Sequence, residues 1–117
     1  MLNIVLALMM ALPPIVVKLY PEGNQTAPVD LLVFAYVERH RENKSVECLL
    51  LLDGAVVAGS TQFTGRDDNR TLFTFEYKRL GPGTYVALIT LLRISVNASG
   101  QEIVEEISQR SSELRVQ

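Results

Sequence analysis

The chain has 117 residues, with 11 basic and 13 acidic side chains and a formal net charge of −2. This length fits one domain with a single hydrophobic core. Because 48% of the residues are hydrophobic and 21% are charged, the composition excludes a disordered chain. The sequence has no basic cluster, which argues against a nucleic-acid partner. One cysteine and one histidine are too few for a structural zinc site, and we expect no metal and no cofactor.

The first twelve residues form an apolar segment that ends at Pro13-Pro14. It is too short to span a bilayer as a helix, which needs about 20 apolar residues. It has no basic residue before its apolar run and no small-x-small cleavage site, so it fits a secretory signal poorly. We expect it to stay in the mature protein and to pack against protein. The alternative is a signal or anchor remnant, which would be the only contact with a membrane. The residues expected to mediate self-association are Leu2, Ile4, Val5, Leu6 and Leu8.

Short runs of β-type residues alternate with turn residues from Pro14 onwards. In chain order, the predicted strands are Ile15–Tyr20, Leu31–Val37, Val46–Leu52, Ala55–Ala58 with an extension to Phe63 as an option, Thr71–Lys78, Thr84–Val96 and Glu102–Ile107, and the tail from Ser108 could add a final edge. Asp53-Gly54 is a hairpin signal between two of these strands. A helix over residues 101–114 is an alternative, since apolar residues there approximate a helical period. The β-branched Val104 and Ile107 favour a strand.

About seven regularly spaced strands predict an all-β fold, an antiparallel β-sandwich over residues 13–117 with residues 1–12 as an apolar extension. The expected core residues are Val33, Leu50, Phe73, Phe75, Val86 and Leu88. Residues 31–37, 48–52 and 85–92 are apolar on both faces of their strands. Either loops and the N-terminal segment cover the outer faces, or a neighbouring copy of the protein does so.

Four of the five asparagines begin an N-glycosylation sequon: Asn24, Asn43, Asn69 and Asn97. From the Ser and Thr content, chance would place about 0.6 sequons on five asparagines. All four lie in predicted loops or at strand ends, where a glycan can be accommodated. The alternative explanation is turn chemistry, because Asn, Ser and Thr all favour turns. The pattern predicts a glycoprotein that is secreted or displayed on the cell surface.

No set of residues predicts catalysis, and we do not expect an enzyme. Cys48 lies in an apolar run and is interpreted as a small buried hydrophobe, with an intermolecular disulfide as the alternative. His40 lies in a charged loop. Asp67-Asp68-Asn69 lacks the alternating spacing of a calcium loop. Gly81-Pro82-Gly83 is interpreted as a turn, because neither a lysine nor a helix follows it as in a phosphate-binding loop.

Three stretches resemble immunoglobulin-like modules of prokaryotic cell-surface proteins. Residues 13–24 (PPIVVKLYPEGN) resemble the opening strand of these modules, and residues 43–60 resemble their central hairpin. Residues 80–92 (LGPGTYVALITLL) resemble the turn and strand before their last hairpin, and fibronectin type III and polycystic-kidney-disease (PKD) repeats share a similar Pro-Gly-Thr-Tyr turn. The resemblance implies an immunoglobulin-like sandwich with a structural or adhesive role. Such modules often pair the cysteine of the central hairpin with one in the later strand, and residues 85–92 contain none.

The sequence therefore predicts an extracellular structural subunit that assembles with copies of itself into a filament or layer, through its N-terminal segment and sheet faces. The expected mechanism is the docking of an apolar extended segment on an exposed sheet edge or groove. Archaeal pilins are similar in having an apolar segment before a β-sandwich, although their N-terminal helix is longer. The alternative is a monomeric cell-adhesion module of a larger surface complex, which recognises a protein or a glycan through its loops.

Overall fold

The computed structural model describes residues 13–64 and 69–117, and these ranges contain nine strands and no helix. The strands are β1 (Ile15–Tyr20), β2 (Gly23–Gln25), β3 (Val29–Val37), β4 (Asn43–Leu52), β5 (Ala55–Phe63), β6 (Leu72–Leu80), β7 (Gly83–Val96), β8 (Glu102–Arg110) and β9 (Leu114–Val116). The predicted contact residues Leu2, Ile4, Val5, Leu6 and Leu8 lie outside the described residues, as do Asp67 and Asp68.

The strands form two sheets that pack face to face as a β-sandwich. One sheet has three antiparallel strands in the order β1-β3-β6. The other has six strands in the order β2-β9-β7-β4-β5, and β8 pairs with β7 beyond the end of β9. All pairs are antiparallel except β2 with β9, which is parallel. The predicted all-β sandwich is confirmed, with one parallel pair in addition.

Local turn chemistry explains the central hairpin. Leu52 pairs with Ala55, so Asp53 and Gly54 form a two-residue connection between β4 and β5. Both residues have positive φ, 49° and 88° respectively, as a type I′ turn requires. The backbone N–H of Asp53 donates to Thr84 O at 2.8 Å, and this bond joins the turn to the start of β7. The predicted Asp53-Gly54 hairpin is therefore confirmed.

The core lies between the two sheets, and the buried hydrophobic side chains of the described residues all belong to strands. Val33, Leu50, Phe73 and Phe75 are buried there, as expected. Val86 and Leu88 are only half-buried, and the prediction that they belong to the core is wrong. The buried side chains of β7 are the alternate ones: Tyr85, Ala87, Ile89 and Leu91. Because β7 is apolar on both faces, alternation of polarity could not indicate which face is inward.

Two short strands that are far apart in the sequence pair with each other. The turn-like composition of residues 21–24 did not predict this pair. Gly23–Gln25 is strand β2, which pairs in parallel with Leu114–Val116 of β9. The tail thus adds a strand, but β9 lies between β2 and β7 and is not an edge. Residues 102–110 form a strand and not the alternative helix, because they pair along β7 from Leu88 to Val96.

Candidate functional site

Cys48 and His40 are among the described side chains that could carry chemistry. Within residues 13–64 and 69–117, no three His, Cys, Asp or Glu side chains come close enough to hold a metal ion. Cys48 is fully buried, and this burial raises the pKa of its thiol to about 11. Since the thiolate is the reactive form, the thiol is inert at neutral pH and packs as a small hydrophobe. The Nδ1 atom of His40 accepts a hydrogen bond from the backbone N–H of Glu42 at 3.1 Å.

The structure also bears on membrane contact. In the part of the chain that it describes, no helix is long and apolar enough to cross a membrane.

The four sequon asparagines differ in their exposure and in the hydrogen bonds that their side chains make within the fold. Asn24, on β2, and Asn69 are exposed. Asn97 begins the turn between β7 and β8, where its Oδ1 accepts from the backbone N–H groups of Ser99 and Gln101 at 3.0 and 2.9 Å. An Asx turn of this kind explains why asparagine suits that position without reference to a glycan.

The amide of Asn43 belongs to a polar network at one end of the sandwich. Its Nδ2 donates to the backbone oxygen of Glu38 at 3.0 Å, and its Oδ1 accepts from Arg93 Nε at 2.9 Å. The Arg93 side chain is only 12% exposed, and its other nitrogens lie 3.5 Å from carboxylate oxygens of Glu38 and Glu105. A glycan on Asn43 Nδ2 would interrupt this network. The folded protein therefore presents Asn24 and Asn69 as its most accessible acceptors.

An apolar surface covers much of the outer side of the three-stranded sheet, and we call it the three-strand face. Strand pairing places Val16, Tyr36 and Leu72 in one row across the sheet. These side chains are 37%, 48% and 40% exposed. The neighbouring rows add the apolar side chains of Phe34, Leu32 and Tyr20, and they also contain the polar residues Lys18, Thr74 and Glu76. Tyr20 is 68% exposed on this face, so the described loops do not cover these side chains fully, and residues 1–12, the other part of the proposed cover, lie outside the described residues.

The larger sheet ends on β5 at one side and on β8 and the three-residue β2 at the other. Strand β5 pairs with β4 on one side and with no described strand on the other. Its nine residues, AVVAGSTQF, contain no charge, and Val56, Val57 and Phe63 are 57%, 53% and 76% exposed. Strand β8 also lies at an edge but carries three glutamates and an arginine. Charged side chains are a common device that protects a strand edge from pairing. Strand β5 itself has none, and Arg70, which precedes β6, donates to the backbone oxygen of Phe63 at one end of this edge.

The geometry thus defines a two-sheet β-sandwich with a partly apolar outer face on the three-stranded sheet and with one edge, β5, whose own residues carry no charge. Neither the known protein-family models nor the curated protein sequences contain a match to this chain. Sequence reasoning predicted the strands of the three-strand face, but it did not predict that β5 lies at an edge of the larger sheet. The signal that could have found it is the run of nine strand residues without a charge.

Proposed function

We propose that the protein is a secreted or surface-displayed structural subunit with an immunoglobulin-like fold, which associates with copies of itself through its sheet faces. The proposal assigns it no catalytic role. The three-strand face is the observation that carries the proposal. The alternative function is that of a monomeric adhesion module in a larger surface complex.

The strand order supports the immunoglobulin-like part of the proposal. Strands β1, β3 and β6 correspond to the A, B and E strands of such a sandwich, and β5, β4, β7 and β8 correspond to C′, C, F and G. At the start of β7, the hydroxyl of Tyr85 donates to the backbone oxygen of Gly81 at 2.9 Å. A buried tyrosine at this corner that bonds a backbone oxygen a few residues upstream is a hallmark of these sandwiches.

The chemistry of the three-strand face supports self-association. Large apolar patches on a soluble domain usually mark a contact with another molecule, and burial contributes about 25 cal/mol per Å². Lys18 and Thr74 lie in the same row as Phe34 and leave the face mixed rather than continuously apolar. A stable interface buries about 800 Å² per partner, so one apolar row alone is not enough. We propose that residues 2–12, the mostly apolar segment that directly precedes Pro13, add to the interface between copies.

The sequons support the extracellular part of the proposal. Asn24 and Asn69 are exposed, and neither belongs to β1, β3 or β6, the strands that form the three-strand face. A glycan adds a bulky polar group to the surface. Glycans on these residues would therefore restrict contacts to the surfaces that they leave uncovered.

The test is the oligomeric state of the full chain by sedimentation velocity over a range of concentrations. We expect the wild-type chain to form oligomers and Tyr36→Glu to shift it towards monomer, because the change places a charge at the centre of the apolar row. The matched control is Val96→Glu, at an apolar position away from the face that is more exposed, at 67%. A wild-type chain that is monomeric at every concentration would contradict self-association and favour the adhesion module.

A further inference from the structure

We propose that the edge of β5 that no described strand pairs with joins antiparallel to β5 of a second copy of this chain, with Thr61 on the two-fold axis. The pairing rests on the proposed self-association and specifies one of its contacts. It would join the two larger sheets into one continuous sheet.

The hydrogen-bond pattern of β5 shows which backbone groups this edge offers. The N–H of Thr64 donates to Lys44 O at 2.9 Å, and the next pair in the same register joins Ser45 to Phe63. Bonded and non-bonded pairs alternate along an antiparallel ladder. It follows that Gly59, Thr61 and Phe63 direct their N–H and C=O groups away from β4. The oxygen of Phe63 accepts from Arg70 Nη2 at 3.2 Å, so it does point to that side, and Arg70 would have to release this oxygen when the second copy pairs.

The side chains of the same three residues share the outer face of the larger sheet. Strand pairing sets Thr61 opposite Glu47 and Gly59 opposite Leu49, and Phe63 follows at the same alternation. A two-fold axis through Thr61 therefore brings Phe63 of one copy opposite Gly59 of the other, with both on the same face. This register satisfies the backbone groups and the side-chain faces together. A shift of one residue would lose both.

The surroundings of Gly59 fit the ring of Phe63. A Cβ atom added at Gly59 would lie 3.0 Å from Cδ2 of Leu49, so the Leu49 side chain lies beside the bare backbone of Gly59. An aromatic side chain that covers a glycine across a strand pair is an established stabilising contact in sheets. Phe63, which is 76% exposed in the single chain, would gain both the glycine surface and the leucine as neighbours.

Charge favours a second copy of β5 as the occupant of this edge. Because residues 55–63 contain no charge, no charged side chains of β5 itself oppose each other in any register, and Arg70 lies only at the Phe63 end of the edge. The edge formed by β8 disfavours pairing with its own copy. If β8 paired with itself about its central residue, Glu106 would face Glu106. Like charges directly opposite each other destabilise a strand pair. The two edges therefore differ in the partner that they accept.

A cysteine placed on the proposed two-fold axis tests the pairing of the two β5 strands. In a bonded antiparallel pair the Cα atoms are about 5.5 Å apart, within the range that a disulfide spans. We expect full-length Thr61→Cys to form a disulfide-linked dimer on mild oxidation, visible on a non-reducing gel. The matched control is Ser108→Cys, which is exposed on the outer face of edge strand β8. The native Cys48 is buried and does not compete in the folded chain.

A second change separates pairing from chance collision. Adding Phe63→Lys to Thr61→Cys should lower the yield of linked dimer by about tenfold or more, because a charge at this position protects an edge. Circular dichroism checks that each variant is folded. If Ser108→Cys links as readily as Thr61→Cys, or if Phe63→Lys leaves the yield unchanged, the β5 pairing is wrong.

Combining these results with the sedimentation of Tyr36→Glu separates the two proposals. If Thr61→Cys does not link while the wild-type chain forms oligomers that Tyr36→Glu disrupts, the edge pairing is overturned and association through the three-strand face stands. If Thr61→Cys links and Phe63→Lys disrupts the oligomer while Tyr36→Glu has no effect, the edge stands and the three-strand face is overturned. A monomer that never links overturns both.

Discussion

Replacing Leu50 by alanine tests the architecture of the core most directly. Leu50 is 1% exposed at the centre of β4 and lies between Ala58 of β5 and Ala87 of β7 in the sheet. Leu-to-Ala changes in cores cost about 2–5 kcal/mol and cost more where the site cannot collapse. Because both cross-strand neighbours are already alanines, they cannot fill the cavity. We therefore expect a loss of about 4 kcal/mol in the free energy of unfolding, in the upper part of that range.

The matched control is Leu88→Ala, the same substitution at a half-buried position on the outer face of β7. It removes fewer buried contacts and should cost about 1 kcal/mol. Urea denaturation measures both, preferably in the Tyr36→Glu background so that association does not contribute. With an m-value of about 2 kcal/mol/M, Leu50→Ala should lower the midpoint by about 2 M. Equal losses for the two variants would refute the register of β7, and an unchanged midpoint for Leu50→Ala would refute the position of β4.

Two further predictions concern modification of side chains. Intact mass and peptide mapping of protein from its native source should find glycan on Asn24 and Asn69 at higher occupancy than on Asn43, whose amide nitrogen is hydrogen-bonded; a mass equal to that of the bare polypeptide would contradict glycosylation. The Cys48 thiol should not react with a thiol reagent at pH 8 until the chain is unfolded. Since its pKa is raised from 9.0 to about 11 in the folded state, the thiol should also make the fold less stable as pH rises from 9 to 11, and Cys48→Val should lack that contribution in a urea titration.

Local signals explain the parts of the fold that could be predicted from sequence. Strand β1 has the predicted bounds because prolines flank it on both sides. Its β-branched residues begin right after Pro13-Pro14, and the strand ends just before Pro21. The Asp53-Gly54 turn was predictable because positive φ at two consecutive positions restricts the residue types that can occupy them. These signals depend only on neighbouring residues.

The features that sequence reasoning missed depend on distant residues. Strand β2 has the composition of a turn and forms because β9, from the other end of the chain, lies beside it. The inward face of β7 could not be chosen from a strand that is apolar on both sides. Asn43 was expected in a loop, and only the approach of Arg93 on β7 shows that its amide is already bound. For the same reason, the sequence could not show that β5 lies at an edge, because strand order is not encoded locally.

The contrast between the β5 and β8 edges also sets a stoichiometry. In the proposed pair, the two β5 edges bind each other, and each end of the composite sheet is formed by β8 and the short strand β2. Strand β8 carries glutamates and β2 has only three residues, and both features disfavour the addition of another strand. Sheet extension would therefore stop at two copies instead of continuing as an open ribbon. Any longer assembly would have to add whole pairs through the three-strand face, so that its repeating unit is a dimer and its subunit number is even.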